Sequence, residues 1–271
     1  NAGVDMKIGL KSNLTLNLTL NPDFGQVEVD PARINLSASE LYYMEKRPFF
    51  VEGANIFRFG RGWSNWNFGL HWGNPRFFYS RRIGAAPHAY VNIDGYVKYP
   101  EWSTILGAAK ISGKIGKDWN IGVLSAFTQR EYAEIDLDGE RLKEEVEPFS
   151  FYNVFRAQKE FNKGCQGLGF IYTYVSRNLR TEDLINSLNK SAFNLGVDGW
   201  TFLDKDKMWV LSGWFGTTRV SGSKDDIIEL QKAYLHYFQR NFCFTRFLSG
   251  GICRLSGWSG RLMINKQKGN L

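Results

Sequence analysis

Residues 21–84 crowd acidic side chains, arginines and large aromatic rings into the strings NPDFGQVEVDP, MEKRPFFVEG and RFFYSRRIG. Glycoside hydrolysis needs two carboxylates about 5 to 9 Å apart across the scissile bond, and this segment is where the chain could supply them. Charges and rings interleaved this closely also need partners, because an unpaired buried charge is costly. The composition therefore predicts that the segment lies against a polar wall and not in open solvent.

The charged residues of this segment allow two interpretations. Six acids, Asp23, Glu28, Asp30, Glu40, Glu45 and Glu52, could provide a catalytic carboxylate pair. Alternatively, they pair with Arg33, Lys46, Arg47, Arg81 and Arg82 inside a lumen. We expect pairing, because no acid is marked out by its surroundings, and we assign no catalytic residue. The candidate lumen or constriction residues are Asp23, Glu28, Asp30, Glu45, Lys46, Arg47, Glu52, Arg81 and Arg82.

Metal and cofactor sites are not indicated by the sequence. Asp23, Glu28 and Asp30 have the hard oxygen ligands that calcium prefers, but their spacing matches no calcium loop, and a solvated or arginine-paired cluster is the expectation. No phosphate loop, dinucleotide fingerprint or Ser/His/Asp order is present. The histidines are dispersed and the cysteines lack a Cys-x-x-Cys spacing; they are His71, His88, His236, Cys165, Cys243 and Cys253.

The aromatic residues of the same segment could stack on sugar rings or pack against a wall. We expect packing, which is the commoner role of such rings in an inward-folded loop. The candidates for stacking are Phe49, Phe50, Trp63, Trp66 and Tyr79.

Composition excludes some classes of protein. The chain has 271 residues, a formal net charge of +7 and an isoelectric point near 9.2, with lysine and arginine scattered along its length. No basic block or nucleic-acid module occurs, so nucleic-acid binding is not expected. No run of about 18 apolar residues exists, which excludes a membrane helix but leaves membrane-spanning strands open.

Alternation with a period of two predicts β-strands before and after this segment. The strings VDMKIGL and NLTLNLTLN form a first hairpin joined at Lys11 and Ser12. From Ser103 onward six further strands are predicted, in WSTILGAAKISGKI, WNIGVLSAFTQR, FSFYNVFRAQKEF, GLGFIYTYVSR, SAFNLGVDGW and KMWVLSGWFGTTRV.

The connections between these strands alternate in length. Short turns are predicted at residues 116–118, 162–164 and 204–207, and long links at residues 137–146 and 180–190. Transmembrane barrels combine tight turns at one end with long loops at the other. A soluble sandwich remains the alternative, but strands of ten or more residues exceed the usual soluble length. Aromatic residues near strand ends favour a membrane girdle; they are Trp102, Trp119, Tyr132, Phe149, Tyr174, Trp200 and Trp209.

A resemblance to a known family rests on EKRPFF and FYSRRIG, together with NLTLNLTLNPDFGQVEVDP, ILGAAKISGK, REYAE and YFQR. These strings resemble the outer-membrane barrel part of a Bacteroidetes-type family of unknown function, whose longer members carry a carbohydrate-binding family-nine domain. The resemblance covers residue 2 to about residue 240, and FCFTRFLSGGICR departs from the pattern. It implies that glycans would bind through an N-terminal module outside these residues, and it supplies no catalytic residue.

We therefore predict an all-β protein: an antiparallel outer-membrane β-barrel, truncated, with an inward-folded loop or plug. Residues 1–21 form the first hairpin, 22–84 the inward-folded segment, 100–240 a meander of long strands and 241–271 an incomplete barrel end, so the chain is expected to be a piece of a longer exported protein. The expected location is the outer membrane, with lipid as partner. The predicted function is a pore or surface platform for solutes or glycans; the alternatives are a membrane-associated glycan hydrolase and a non-transporting structural or secretion-accessory barrel.

Overall fold

A computed structural model describes residues 3–11, 13–22, 34, 41–60, 76–91, 93, 95–137, 139–233 and 253–268. Among these residues, no helix is both long and apolar enough to cross a bilayer. The architecture is dominated by antiparallel β-structure, as the sequence predicts.

Nine strands form one antiparallel meander, in which each strand pairs with the next strand of the sheet along the chain. They are β1 (Val4–Lys11), β2 (Leu14–Leu20), β4 (Ile105–Ile115), β5 (Trp119–Thr128), β8 (Phe149–Phe161), β9 (Gln166–Asn178), β10 (Ser191–Phe202), β11 (Trp209–Gly222) and β12 (Cys253–Lys266). The sheet is not closed: in the described chain, β1 pairs only with β2 and β12 only with β11. The large antiparallel sheet is confirmed, and closure into a barrel stays a prediction.

A second sheet of three strands accompanies the first. It contains β3 (Tyr96–Lys98), β6 (Glu131–Leu137) and β7 (Glu140–Glu147). The prediction of a long link over residues 137–146 is therefore wrong, because most of that stretch is β7. Its sequence, ERLKEEVE, places charges on both faces, which hides the alternation that identifies a strand.

The connections are short at one end of the large sheet and long at the other. The turns predicted at residues 116–118, 162–164 and 204–207 are confirmed at the short end. The opposite end holds the 3-strand sheet and two helices, α2 (Glu182–Ser187) and α3 (Lys224–Lys232). The longest described connection leaves β2 at this end and returns to β4, where Asn21 N donates to Leu106 O at 3.0 Å.

That long connection covers one face of the large sheet. We call residues 41–60 and 76–85 the covering segment; it contains the one-turn helix α1 (Pro48–Val51) and two short 3-10 turns, Ala54–Phe57 and Ser80–Arg82. An apolar cluster joins it to β4, β5 and β8. Its buried members are Phe50, Phe57, Ile83, Ile105, Ala108, Leu124, Ala126 and Val154.

The two faces of the large sheet differ in composition. The covered face, which carries the covering segment, buries Lys110, Ser112, Arg156, Asp198 and Ser212 within their strands and Thr128 at the end of β5. The opposite face, which we call the bare face, exposes large apolar side chains on strands from β1 to β12. They are Val4, Met6, Ile8, Leu20, Ile115, Trp119, Phe127, Phe161, Leu168, Phe170, Val197, Trp209, Phe215, Trp258, Leu262 and Ile264.

Two of the aromatic residues predicted for the membrane girdle do not lie on the bare face of the large sheet. Trp200 lies on the covered face, 7% exposed, where its ring occupies the space above Gly167. Tyr132 belongs to β6 in the 3-strand sheet. The period of two places Trp200 on the same face as Asp198, so its covered position agrees with the alternation and only the girdle assignment was wrong.

Candidate functional site

The two motifs that identify the segment, EKRPFF and FYSRRIG, contact each other through one arginine. Arg47 is 7% exposed, and its Nε and one terminal nitrogen each donate to Glu45 at 2.8 Å. The same guanidinium donates to the backbone oxygens of Ser80 at 2.8 Å and Ile83 at 2.6 Å. Ser80 Oγ donates to Glu45 Oε2 at 2.6 Å. This network fixes the two halves of the covering segment together.

Lys110 attaches helix α1 to the sheet. Its side chain is buried on β4, and its Nζ donates to the carbonyl oxygens of Phe49 and, at 2.6 Å, of Glu52. The last carbonyl groups of a helix lack partners within the helix, so a buried cation there satisfies them. The Glu52 carboxylate is held by Lys7 Nζ at 2.5 Å and by the Asn17 amide at 2.9 Å. The helix is therefore fixed by polar groups of β1, β2 and β4.

Glycines on the covered face make room for the rings of the covering segment. A Cβ at Gly122 would lie 2.9 Å from atoms of Ile56 and Phe57. At Gly196 it would lie 2.5 Å from Phe59, and at Gly216 it would lie 2.2 Å from Phe77. Under 3.0 Å the neighbouring ring must move, so these strands accept the rings only because they lack side chains there.

These glycines lie in one row across the sheet. The register pairs Ser112 with Gly122, Gly122 with Arg156, and, through β9, continues to Gly196 and Gly216. Residues 53–59 and Phe77 follow this row from β4 to β11, so the covering segment runs across the strands and bridges them.

A buried ion pair anchors the far end of that path. Arg156 on β8 donates to both oxygens of Asp198 on β10, at 2.6 and 2.9 Å, and both residues are almost fully buried. The pair crosses β9 above Gly169, where a Cβ would lie 2.3 Å from Asp198 Oδ1. Gly60 N donates to Asp198 Oδ2 at 2.9 Å. The covering segment is thus attached to the ion pair through its backbone.

Stacked rings surround this anchor. Phe59 and Phe77 stack with centroids 4.3 Å apart, and both present edges to Trp214 at about 6 Å. The Arg156 guanidinium lies 5.6 Å from the Phe59 centroid. The attachment at the Arg156–Asp198 pair therefore combines an ion pair with aromatic packing. The attachment around Phe50 and Phe57 is mainly apolar.

The carboxylates of the covering segment are held ionised. Burial alone would raise the pKa of Glu45, but the hydrogen bonds and charge of Arg47 lower it overall. The hydrogen bond from Lys7 lowers the pKa of Glu52. A general acid in glycoside hydrolysis needs a raised pKa, which is the opposite of what these two carboxylates have.

The residues predicted to line a lumen or constriction differ in their partners and in their burial. Glu45 pairs with Arg47, and Glu52 with Lys7; Arg81 lies 6.0 Å from the Tyr43 centroid, and burial lowers its pKa. Lys46 is half-buried and Arg82 exposed in the same segment. Asp23, Glu28 and Asp30 lie outside the described residues.

The predicted stacking residues are engaged with the protein where the structure describes them. Phe50 is buried and meets Phe49 edge to face at 5.0 Å. The Tyr79 hydroxyl accepts from Tyr43 N at 3.0 Å and donates to Tyr43 O at 3.1 Å, and its ring contacts Tyr42. Trp63 and Trp66 lie outside the described residues.

Sequence reasoning missed the wall residues that hold the segment: Lys110, Arg156, Asp198 and the ring-accepting glycines. The available signal was a charge in the middle of a strand face, with uncharged residues at the nearest positions on either side of it on that face. Such a charge has to meet a partner from another strand or from a loop.

Several buried polar atoms of the covered face have no protein partner. They are Asn17 Oδ1, Thr19 Oγ1, Thr128 Oγ1, Arg156 Nε, Ser212 Oγ, Trp214 Nε1 and Asn265 Nδ2. Buried polar atoms are normally satisfied by protein or by water, so these atoms mark the most polar part of the covered face. In the described ranges no group of three or more histidine, cysteine, aspartate or glutamate residues could hold a metal ion. Cys165 and Cys253 are free thiols.

Comparison with protein families gives one match. The model of a family described as a domain of unknown function, DUF5916, matches residues 1–227. The matched range includes both motifs, the covering segment and every strand of the large sheet except β12. No curated protein and no solved structure matches the chain.

Proposed function

We propose that this chain, which belongs to the DUF5916 family, forms the wall and constriction of an outer-membrane β-barrel that passes or presents solutes. The strands would face lipid with the bare face and an aqueous interior with the covered face. The covering segment would narrow that interior.

The observation that carries the proposal is the inverted composition of the two faces. On β5, Val123 lies on the bare face and its neighbour Leu124 on the covered face. The bare-face row through Val123 crosses six strands and contains Leu16, Ile111, Val123, Phe155, Tyr172 and Leu195. A soluble sheet turns such a row toward its core. Here the core-like row is uncovered, and buried charges lie on the other side. A membrane barrel has this arrangement, with apolar side chains outward and polar ones inward.

Strand length and connection length support the same proposal. Strands β4, β5 and β8 to β12 have 10 to 14 residues. A strand tilted by about 45° needs about 9–11 residues to cross the hydrocarbon core. Short turns at one end and long connections at the other are typical of outer-membrane barrels.

Charges on the bare face are confined to strand ends, as a bilayer would require. In the nine described strands they are Lys159, Arg219, Arg254 and Lys266, and no acidic residue lies on this face. Lys159 lies against the rings of Trp119 and Phe161, at 5.4 and 5.0 Å. Basic side chains beside aromatic rings suit the boundary between hydrocarbon and headgroups.

The constriction can be tested by conductance in planar bilayers. Replacing Arg81 and Arg82 together with alanine removes two cations from the covering segment while leaving Arg47 and its network in place. Residues 22–84 carry eight basic and six acidic side chains, so we expect a larger conductance and a weaker preference for anions.

The matched control is Arg141→Ala, which removes an exposed arginine on β7 outside the covering segment. It should leave conductance and ion preference unchanged. If the double variant inserts normally and also leaves both unchanged, the constriction is refuted. If the unaltered full-length protein fails to insert into bilayers, the barrel itself is refuted.

A further inference from the structure

An apolar groove crosses the bare face of β10, β11 and β12. Its volume is about 720 Å³, within the range of about 300–1,000 Å³ typical of small-molecule sites. The register places Leu168, Gly199, Gly213 and Leu262 in one cross-strand row, and Val197, Phe215 and Gly260 in the next. The glycines have no side chains, so their backbone forms the floor of the groove. The walls are Leu168, Val197, Leu211, Phe215, Trp258 and Leu262.

The walls of the groove are exposed apolar side chains. Trp258 is 77% exposed and stacks on Phe215 with centroids 6.1 Å apart. Leu262 is 75% exposed and Leu168 60% exposed. A long, apolar and flexible ligand would bury these side chains without needing any polar contact inside the groove.

Two arginines lie at one end of the groove, toward the long connections. Arg219 pairs with Ser256 in the register, one row beyond the pair of Thr217 with Trp258. Arg254 pairs with Ser221 in the row after that, so the two arginines are diagonal neighbours on one face, about 7–8 Å apart at their Cα atoms. Both are exposed.

The surroundings of the arginines favour an anion between them. Like charges on neighbouring strands repel each other, and no acidic residue of the described strands lies on this face to offset them. Arg219 is directed along the sheet by its Nε bond to Ser256 Oγ at 3.2 Å and its contact with Phe193, 5.8 Å from the ring centroid. A guanidinium group can donate two parallel hydrogen bonds to two oxygens of one phosphate.

We infer that this groove binds one acyl chain of an anionic phospholipid, with the lipid phosphate between Arg219 and Arg254. From the Arg219 row to the Phe215 row is four residues, about 13 Å along the strand, so the headgroup and the chain occupy successive parts of one site. The inference rests on the proposed function, because it needs the bare face in lipid. It adds a selective lipid site to a surface that otherwise contacts lipid without selection.

Tryptophan quenching by brominated lipids tests the site. The whole chain is reconstituted into phosphatidylcholine vesicles that contain rising fractions of dibrominated phosphatidylglycerol or dibrominated phosphatidylcholine. Subtracting the Trp258→Phe variant isolates the signal of Trp258. Each basic residue near an anionic headgroup contributes about a fivefold preference, and the site has two, so half-quenching should need roughly 25-fold less of the brominated anionic lipid than of the neutral one.

Two substitutions should remove this preference for different reasons. Arg219→Gln with Arg254→Gln removes the headgroup contact, and Val197→Phe fills the groove. Their controls are Lys159→Gln, on the same face of β8, and Val123→Phe, on the same face of β5; both should keep the preference for the anionic lipid.

The outcomes separate the site from the barrel. Equal quenching by both lipids, unchanged in the arginine variant, overturns the site and leaves the lipid-facing wall intact. Absence of quenching by either lipid overturns both. A preference that survives the arginine variant but disappears in Lys159→Gln also overturns the site as placed here.

Discussion

The bare and covered faces of the large sheet alternate along the same strands, yet opposite physical conditions apply to them. On β5, Phe127 is 43% exposed while Leu124 and Ala126 are fully buried beneath the covering segment. On β8 and β10 the covered face buries the charges of Arg156 and Asp198, while Phe161 and Val197 on the bare face of the same strands are exposed. The two-residue period of a strand therefore tells which residues share a face. Whether that face is buried depends on what packs against it.

The covered face itself shows why burial and polarity are compatible here. Its apolar part lies under Phe50 and Phe57, and its polar part lies under Phe59 and the backbone of Gly60. Each buried charge has a partner: Lys110 has carbonyl groups, and Arg156 has a carboxylate. The segment and the wall are complementary in both halves.

Breaking the ion pair should have the largest effect on the covered face. Asp198→Ala leaves Arg156 buried without its carboxylate and removes the acceptor of Gly60 N, which should cost about 3–5 kcal/mol of folding free energy. Unfolding in urea of the vesicle-inserted chain measures it. The matched double variant, Arg156→Met with Asp198→Leu, should recover most of the loss; if it is as unstable as Asp198→Ala, an uncompensated charge is not the cause.

A charge introduced in the middle of the bare face should cause the next largest loss of stability. Val123→Arg should cost about 2–4 kcal/mol if this position lies at the centre of a bilayer, and close to nothing if it lies in water. The control Val4→Arg lies at a strand end, where the cost near the interface is about 0–1 kcal/mol. Equal urea stability of both variants would contradict a lipid-facing wall.

Adding one methyl group at a ring-accepting glycine should have a smaller effect. Gly122→Ala places a Cβ 2.9 Å from Ile56 and Phe57, and overpacking of this kind costs about 1–3 kcal/mol. Gly9→Ala is the control, because its Cβ meets no atom within 4 Å. Faster protease cleavage within residues 41–60 of the Gly122 variant alone would show that the segment is lifted; identical cleavage of both variants would show that it is not.

The smallest expected effect lies at the helical end, away from both faces. Burial raises the pKa of Asp226 on α3 to about 6, and its Oδ2 has no hydrogen-bond partner. The unfolded chain loses this proton near pH 3.8, so the native state is destabilised as pH rises from about 4 to 6 and fully so above 6. Asp226→Asn should gain about 1–2 kcal/mol at pH 7.5 and little at pH 4. A pH series of thermal unfolding checks it, and a gain that is independent of pH would contradict the assignment to Asp226.

Much of the fold was predictable because a strand's period is visible in one sequence. The first hairpin, six later strands and three short turns follow from alternation and from glycine, asparagine and aspartate at the turns. Strand β7 was missed because charged residues occupy both of its faces. Closure of the sheet stays a prediction, because it depends on what the two edge strands pair with.

The covering segment was predictable as a unit, but its contacts were not. Its density of charge and rings indicated a polar wall, and Glu45 does lie beside Arg47, only two residues away. The contact of Arg156 with Asp198 spans 42 residues, and that of Gly60 with Asp198 spans 138. Nothing local in the sequence encodes such pairs, since they arise only when the strands are in register.

The position of the covering segment in the chain constrains the order in which the protein assembles. It is encoded between β2 and β4, which pair directly, while the wall residues that receive Phe59 and Phe77 lie on β10 and β11, more than 100 residues later. Bringing the ends of such a long loop together is entropically tolerable, since each doubling of loop length adds only about 0.6 kcal/mol. Because β10 and β11 emerge after the segment that they contact, the segment is available as a template on which the later strands can align. Phe59 and Phe77 are therefore also placed to guide the alignment of β10 and β11.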